Sequence, residues 1–144
     1  MKKKKSIKSI PKKIPSKTFQ IIDPIFRQRI YILLNQDEKS YAKFLTRQKI
    51  KNVEKETIEI NRFRGMSSWI EEKETGIRYY IILLKEFNWT LSHQNTLIHE
   101  IVHTIIKIWA SNNIHFNEET QEFLAHSIGN LYEQIGRKLL TKKS

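Results

Sequence analysis

Apolar and polar positions along the chain fall first into short alternating runs and then into two long helical ones. FQIIDPIF, from Phe19 and interrupted by Pro24, predicts a short strand or an extended edge segment. RIYILL (Arg29–Leu34) is β-branched, aromatic and apolar, as a strand of a half-buried sheet is. After a turn at Asn35-Gln36-Asp37, Tyr41, Phe44 and Leu45 recur at helical spacing, so an amphipathic helix is expected from Asp37 to Gln48. Residues 49–65 are polar and basic with Val53, Ile58 and Ile60 interspersed, which predicts a loop and a weak strand, with a turn at Gly65. Ser67–Glu72 and Arg78–Lys85 follow as strands joined through Glu74-Thr75-Gly76. The first alternates like a half-exposed edge strand, while the second is continuously apolar and should be central.

Two helices close the chain. One should run from Ser92 to Ala110, with caps offered by Asn88–Ser92 and an end at Ser111-Asn112-Asn113. Leu97, Ile98, Ile101, Val102, Ile105, Ile106 and Ile108 make it apolar almost all round, as a central buried helix is. The other should run from Glu118 to Leu139, capped by Asn117. Strands followed by helices predict an α+β domain: a small mixed or antiparallel sheet packed against two long C-terminal helices, with the Asp37–Gln48 helix alongside.

Composition narrows the function classes. A chain of 144 residues is one domain, and the absence of Cys excludes disulfides, thiolate zinc sites and cysteine nucleophiles. The longest purely apolar run, Tyr79–Leu84, is far too short to span a bilayer. The basic start lacks the apolar core of a secretory signal, so a cytoplasmic protein without a membrane role is expected. The net charge of +11 is concentrated at the start: residues 1–18 hold eight Lys and no acid. That segment reads as a basic disordered tail before a domain spanning residues 19–144. It offers nonspecific contact with nucleic acid, although no aromatic is interleaved with its lysines for base stacking, and a solvated arm explains it as well.

Chemistry enters with His99-Glu100-Ile101-Val102-His103, an H-E-x-x-H motif on the first long helix. Residues four apart share a helix face, so His99 and His103 can present two imidazole nitrogens to one Zn²⁺. Glu100 is then placed to act as general base on a metal-activated water. A third ligand is needed, and His115, Glu118, Glu119 and Glu122 follow the motif. The metzincin pattern is excluded, because Ile106 and Trp109 stand where it requires Gly and His. Glu118 and Glu119 already have a role as first-turn charges opposite the helix dipole. Glu122 is favoured over Glu119 and His115: it shares a helix face with Ala125, His126 and Gly129, whose small members would let the two helices approach. His126, one turn on, is the nearest candidate to stabilise an oxyanion. His93 and His115 read as surface residues, and Trp69 and Trp89 as core or rim packing.

HEIVH followed nineteen residues later by Glu122, in EFLAHSIGNL, resembles the small H-E-x-x-H metallopeptidase-like proteins of phages and prophages. Their later segment has the form E-x-x-A-Y-x-x-G-x-L, and the wider resemblance is to minimal gluzincins. The similarity extends upstream through DPIFRQRIYILL, GMSSWIEE and RYYIILLKEF and so covers most of residues 19–139. It implies a zincin-like fold, zinc held by His99, His103 and Glu122, Glu100 as base, and hydrolysis of peptide bonds in a protein or peptide substrate inside a bacterial host. One departure is His126, which stands where the family carries Tyr. Two competing readings keep the motif without the reaction: a zinc-binding but non-catalytic accessory protein whose basic tail attracts nucleic acid, and a phage assembly factor that binds no metal.

Overall fold

The structure, a computed structural model, describes residues 14–48, 64–71 and 75–140. Among the described residues it is an α+β arrangement of a four-stranded mixed sheet and three helices. The strands are β1 (Lys17–Ile22), β2 (Arg29–Leu34), β3 (Gly65–Glu71) and β4 (Arg78–Leu84), in the order β1-β2-β4-β3. β1 pairs antiparallel with β2, β2 parallel with β4, and β3 antiparallel with β4. As its continuous apolar pattern requires, β4 is interior, and β3 lies at an edge.

The helices are α1 (Glu38–Arg47), α2 (Leu91–Ser111) and α3 (Gln121–Leu140). Alternation along β2 and β4 sends side chains to two different cores. Ile30, Ile32, Leu34, Tyr80, Ile82 and Leu84 meet α2 and α3 through Leu97, Ile101, Ile105, Leu131 and Ile135. Tyr31, Leu33, Ile81 and Leu83 point the other way and meet Tyr41, Phe44 and Leu45 of α1. The short helix thus covers the opposite face, and the sheet is the middle of three layers. Each of these large side chains contributes about 1.5–3 kcal/mol when removed from water.

Local signals account for most boundaries. Asp37 caps α1: its carboxylate accepts from Ser40 N at 2.7 Å, while Ser40 Oγ accepts from Asp37 N at 3.0 Å. Thr90 caps α2, accepting from His93 N at 3.2 Å. The last helix begins at Gln121, three residues later than the charge pattern suggests. Asn117 and Thr120 exchange side-chain bonds of 2.9 and 3.0 Å, which hold Glu118 and Glu119 in a turn before the helix. At the other end, Ile14 is already buried and β1 starts at Lys17, so ordered packing begins ahead of Phe19. Asn35, with φ of 56°, ties that segment down: its Nδ2 donates to Ile14 O at 2.7 Å and to Phe87 O at 3.1 Å. The weak strand expected around Val53–Ile60, and the tail up to residue 13, lie outside the described residues. Among the described residues no helix is long and apolar enough to cross a membrane.

Candidate metal centre

α2 is not enclosed on all sides. Leu97, Ile101, Thr104, Ile105 and Ile108 are buried against the sheet, but Ile98 and Ile106 are each 40% exposed. His99 and His103 lie on the face turned away from that core and are exposed. The helix expected to be buried almost all round therefore carries its imidazole pair on an open surface. The two Nε2 atoms are 3.0 Å apart, with the rings at 77° to one another. Two nitrogens bound tetrahedrally to one zinc at about 2.0–2.1 Å stand about 3.3 Å apart, so the pair fits two positions of such a site within a few tenths of an ångström.

Glu100, one residue round the helix, is 7% exposed and faces β3. Gly65 makes that approach feasible. A Cβ there would stand 3.1 Å from Glu100 Cγ and 2.9 Å from both Thr96 Cγ2 and Leu84 Cδ2. A polar seam continues along the same line of α2. Thr104 Oγ1 donates to Glu100 O at 2.8 Å and stands 2.8 Å from Ser67 Oγ. Its only hydrogen goes to Glu100, so Ser67 must be the donor in the second bond. Lys107 Nζ donates to Ser67 O and lies 3.3 Å from Ser67 Oγ. Burial holds the Lys107 ammonium below its ordinary pKa, against the opposing pull of the Glu100 carboxylate.

Among the described residues no strand pairs with the outer backbone edge of β3. Lys85 N donates to Arg64 O at 3.0 Å. Bonded and non-bonded pairs alternate along an antiparallel ladder, so Gly65, Ser67 and Trp69 turn their N–H and C=O outward. Lys107 takes the middle one of these outward carbonyls. Lys107 and Gly65 carried a signal in the sequence: Lys107 repeats the His99/His103 spacing once more, and Gly65 opens a strand.

α3 gives a mixed answer. Its buried residues are Ser127, Leu131 and Ile135, while Glu122, Ala125, His126 and Gly129 are exposed on the opposite side. A Cβ on Gly129 would meet nothing within 4 Å, so the small residues do not serve a close helix approach. Height along the helices does match. Tyr132 Oη donates to Gln94 Oε1 at 2.8 Å, and Trp109 stacks on Phe116 near the connecting turn, so α2 and α3 run antiparallel. With equal rise, Glu122 stands about level with Thr104 and His126 about level with Glu100. Among the described residues, no group of three or more His, Asp or Glu side chains is gathered at ion-holding distance. His99 and His103 are brought together; Glu122, Glu119, His115 and His126 stand apart from them. His93 is not a plain surface residue: its Nδ1 accepts from Asn88 N at 3.0 Å and its ring stacks on Phe87. Trp69 sits at the rim, 46% exposed, with the Arg78 guanidinium 4.2 Å from its ring centroid.

No family model, no curated protein and no solved structure matches this chain.

Proposed function

We propose that the protein is a zinc-dependent peptidase of zincin-like build, in which His99, His103 and Glu122 hold the metal. The observation that carries this reading is the pair of Nε2 atoms 3.0 Å apart, beside a buried carboxylate at the sheet edge. Bound zinc would supply the Lewis acid that polarises a scissile carbonyl and acidifies a water. Glu100, poised between α2 and β3, takes the proton of the attacking water and passes it to the leaving amine. The outward N–H groups of Gly65, Ser67 and Trp69, with the carbonyls of Gly65 and Trp69, hold an extended peptide as an added strand. Ile98 and Ile106, exposed on either side of the imidazole pair along α2, supply an apolar rim for substrate side chains. His126, level with Glu100 on the neighbouring helix, is the imidazole assigned to the developing oxyanion.

The test is cleavage of a mixed peptide library by zinc-loaded protein, read by mass spectrometry. Wild type should cut, and Glu100→Gln should bind zinc equally while losing about 10²–10⁴ of the rate, the contribution of a positioned base. A fully loaded wild type that cuts nothing, or a Glu100→Gln that cuts as well, would overturn the reading.

A further inference from the structure

We propose that the outer face of α1 binds the phosphodiester backbone of nucleic acid. This does not rest on the peptidase reading, since α1 lies across the sheet from the imidazole pair. Lys39, Lys43 and Arg47 are all exposed and follow one another at four-residue steps. They form a single row about 12 Å long, the span of about two or three successive phosphates of one strand. Together with Ala42 and Thr46 they line a depression of about 720 Å³. Among the described residues no acid lines that depression: Glu38 and Asp37 lie round the helix at its start.

The row is not explained by folding. Like charges four apart repel along a helix, and Lys39 in the first turn opposes the helix dipole. Acids were available to the chain but were placed elsewhere. Residues 1–64 carry 18 Lys and Arg against six Asp and Glu, whereas residues 65–144 carry eight against nine. A charge contrast of this kind between the two parts of a chain marks a polyanion partner. Chain order sets further basic residues before and after α1. Gln36, beside the cap of α1, donates to Ser16 Oγ at 2.9 Å, and seven lysines precede Ile14 in the sequence. Lys49 and Lys51 follow α1 in the sequence.

Chemistry favours nucleic acid over a membrane surface. The large apolar residues of α1, Tyr41, Phe44 and Leu45, are buried against the sheet, and only the methyl of Ala42 is left on the charged face, too little to enter an acyl layer. The row carries point charges and a hydroxyl, which suits phosphate contact without base readout.

Fluorescence anisotropy of short duplex DNA and duplex RNA with the full chain, over a salt series, tests this. Each phosphate neutralised contributes about −0.9 to the slope of log K against log salt, so Lys39→Gln/Lys43→Gln/Arg47→Gln should flatten the slope by about 2.7. These exposed substitutions keep good helix formers, and circular dichroism should show unchanged helix content. Arg27→Gln/Arg137→Gln/Lys138→Gln removes the same charge far from α1 and should keep the wild-type slope. Binding of either duplex with this pattern supports the proposal, and the stronger of the two identifies the source of the phosphates. Equal flattening in both variants would reduce the effect to net charge and overturn it. So would absence of wild-type binding to both duplexes, or binding of anionic phosphatidylserine vesicles in their place.

Discussion

Gly65→Ala is the sharpest single perturbation of the seam between β3 and α2. The new methyl would stand 2.9 Å from Leu84 Cδ2 and Thr96 Cγ2 and 3.1 Å from Glu100 Cγ. Leu84 is fully buried in the sheet centre and cannot swing aside, so β3 or Glu100 has to give. Overpacking a tight core by one methyl costs about 1–3 kcal/mol, and three simultaneous close approaches place this site in the upper half of that range. Against it stands a gain of about 0.5–1 kcal/mol from replacing Gly in a strand. The expected net loss is about 1–2.5 kcal/mol. For a domain of this length that lowers Tm by about 3–8 °C. Urea and thermal unfolding followed by circular dichroism measure both quantities. A variant as stable as wild type would refute the close approach of β3 to the Glu100 side chain.

Two further substitutions probe the rest of the fold. Gly129→Ala should act in the opposite direction, since its Cβ meets nothing within 4 Å and the site is an exposed helix interior. A gain of about 0.5–1 kcal/mol is expected in the same unfolding assay, and a loss would show that this face of α3 is covered. Asp23 is fully buried; burial holds its carboxyl above the usual carboxylate range, against weaker lowering by the backbone N–H groups of Phe26, Ile25 and Arg27. A raised acid favours its protonated form when folded. Its contribution is thus complete below the unfolded pKa of about 3.9 and is lost as pH rises through the folded value. The urea midpoint of wild type should therefore fall relative to Asp23→Asn as pH climbs from that point, and a difference independent of pH would contradict this.

Much of the architecture was legible because local chemistry fixes it. Arg29–Leu34 and Arg78–Leu84 are apolar on both sides and form the two interior strands. Asp37 and Ser40 mark the start of α1 before any tertiary contact is known. What the sequence concealed depends on packing between distant elements. The parallel pairing of β2 with β4 and the placement of α1 on the far face follow from both cores filling at once, which no single segment encodes. Ile98 and Ile106 look like core residues in a window of α2, yet they lie outside the stripe that meets the sheet. Ala125 and Gly129 suggested a tight helix crossing, but the buried side of α3 is set by Ser127, Leu131 and Ile135. The motif pair was legible from spacing alone, because four residues of helix bring His99 and His103 together whatever surrounds them. A third ligand must come from another helix, so spacing could rank Glu122 first without placing it beside the pair.

Zinc stoichiometry by elemental analysis decides whether His99, His103 and Glu122 form a metal site. Purified wild type is compared with Glu100→Gln and Glu122→Ala after reconstitution. One zinc per chain is expected in wild type and in Glu100→Gln, with loss in Glu122→Ala. A wild type that holds no zinc would contradict it and leave His99 and His103 as a hydrogen-bonded pair, and zinc retained in Glu122→Ala would contradict the His99, His103 and Glu122 ligand set.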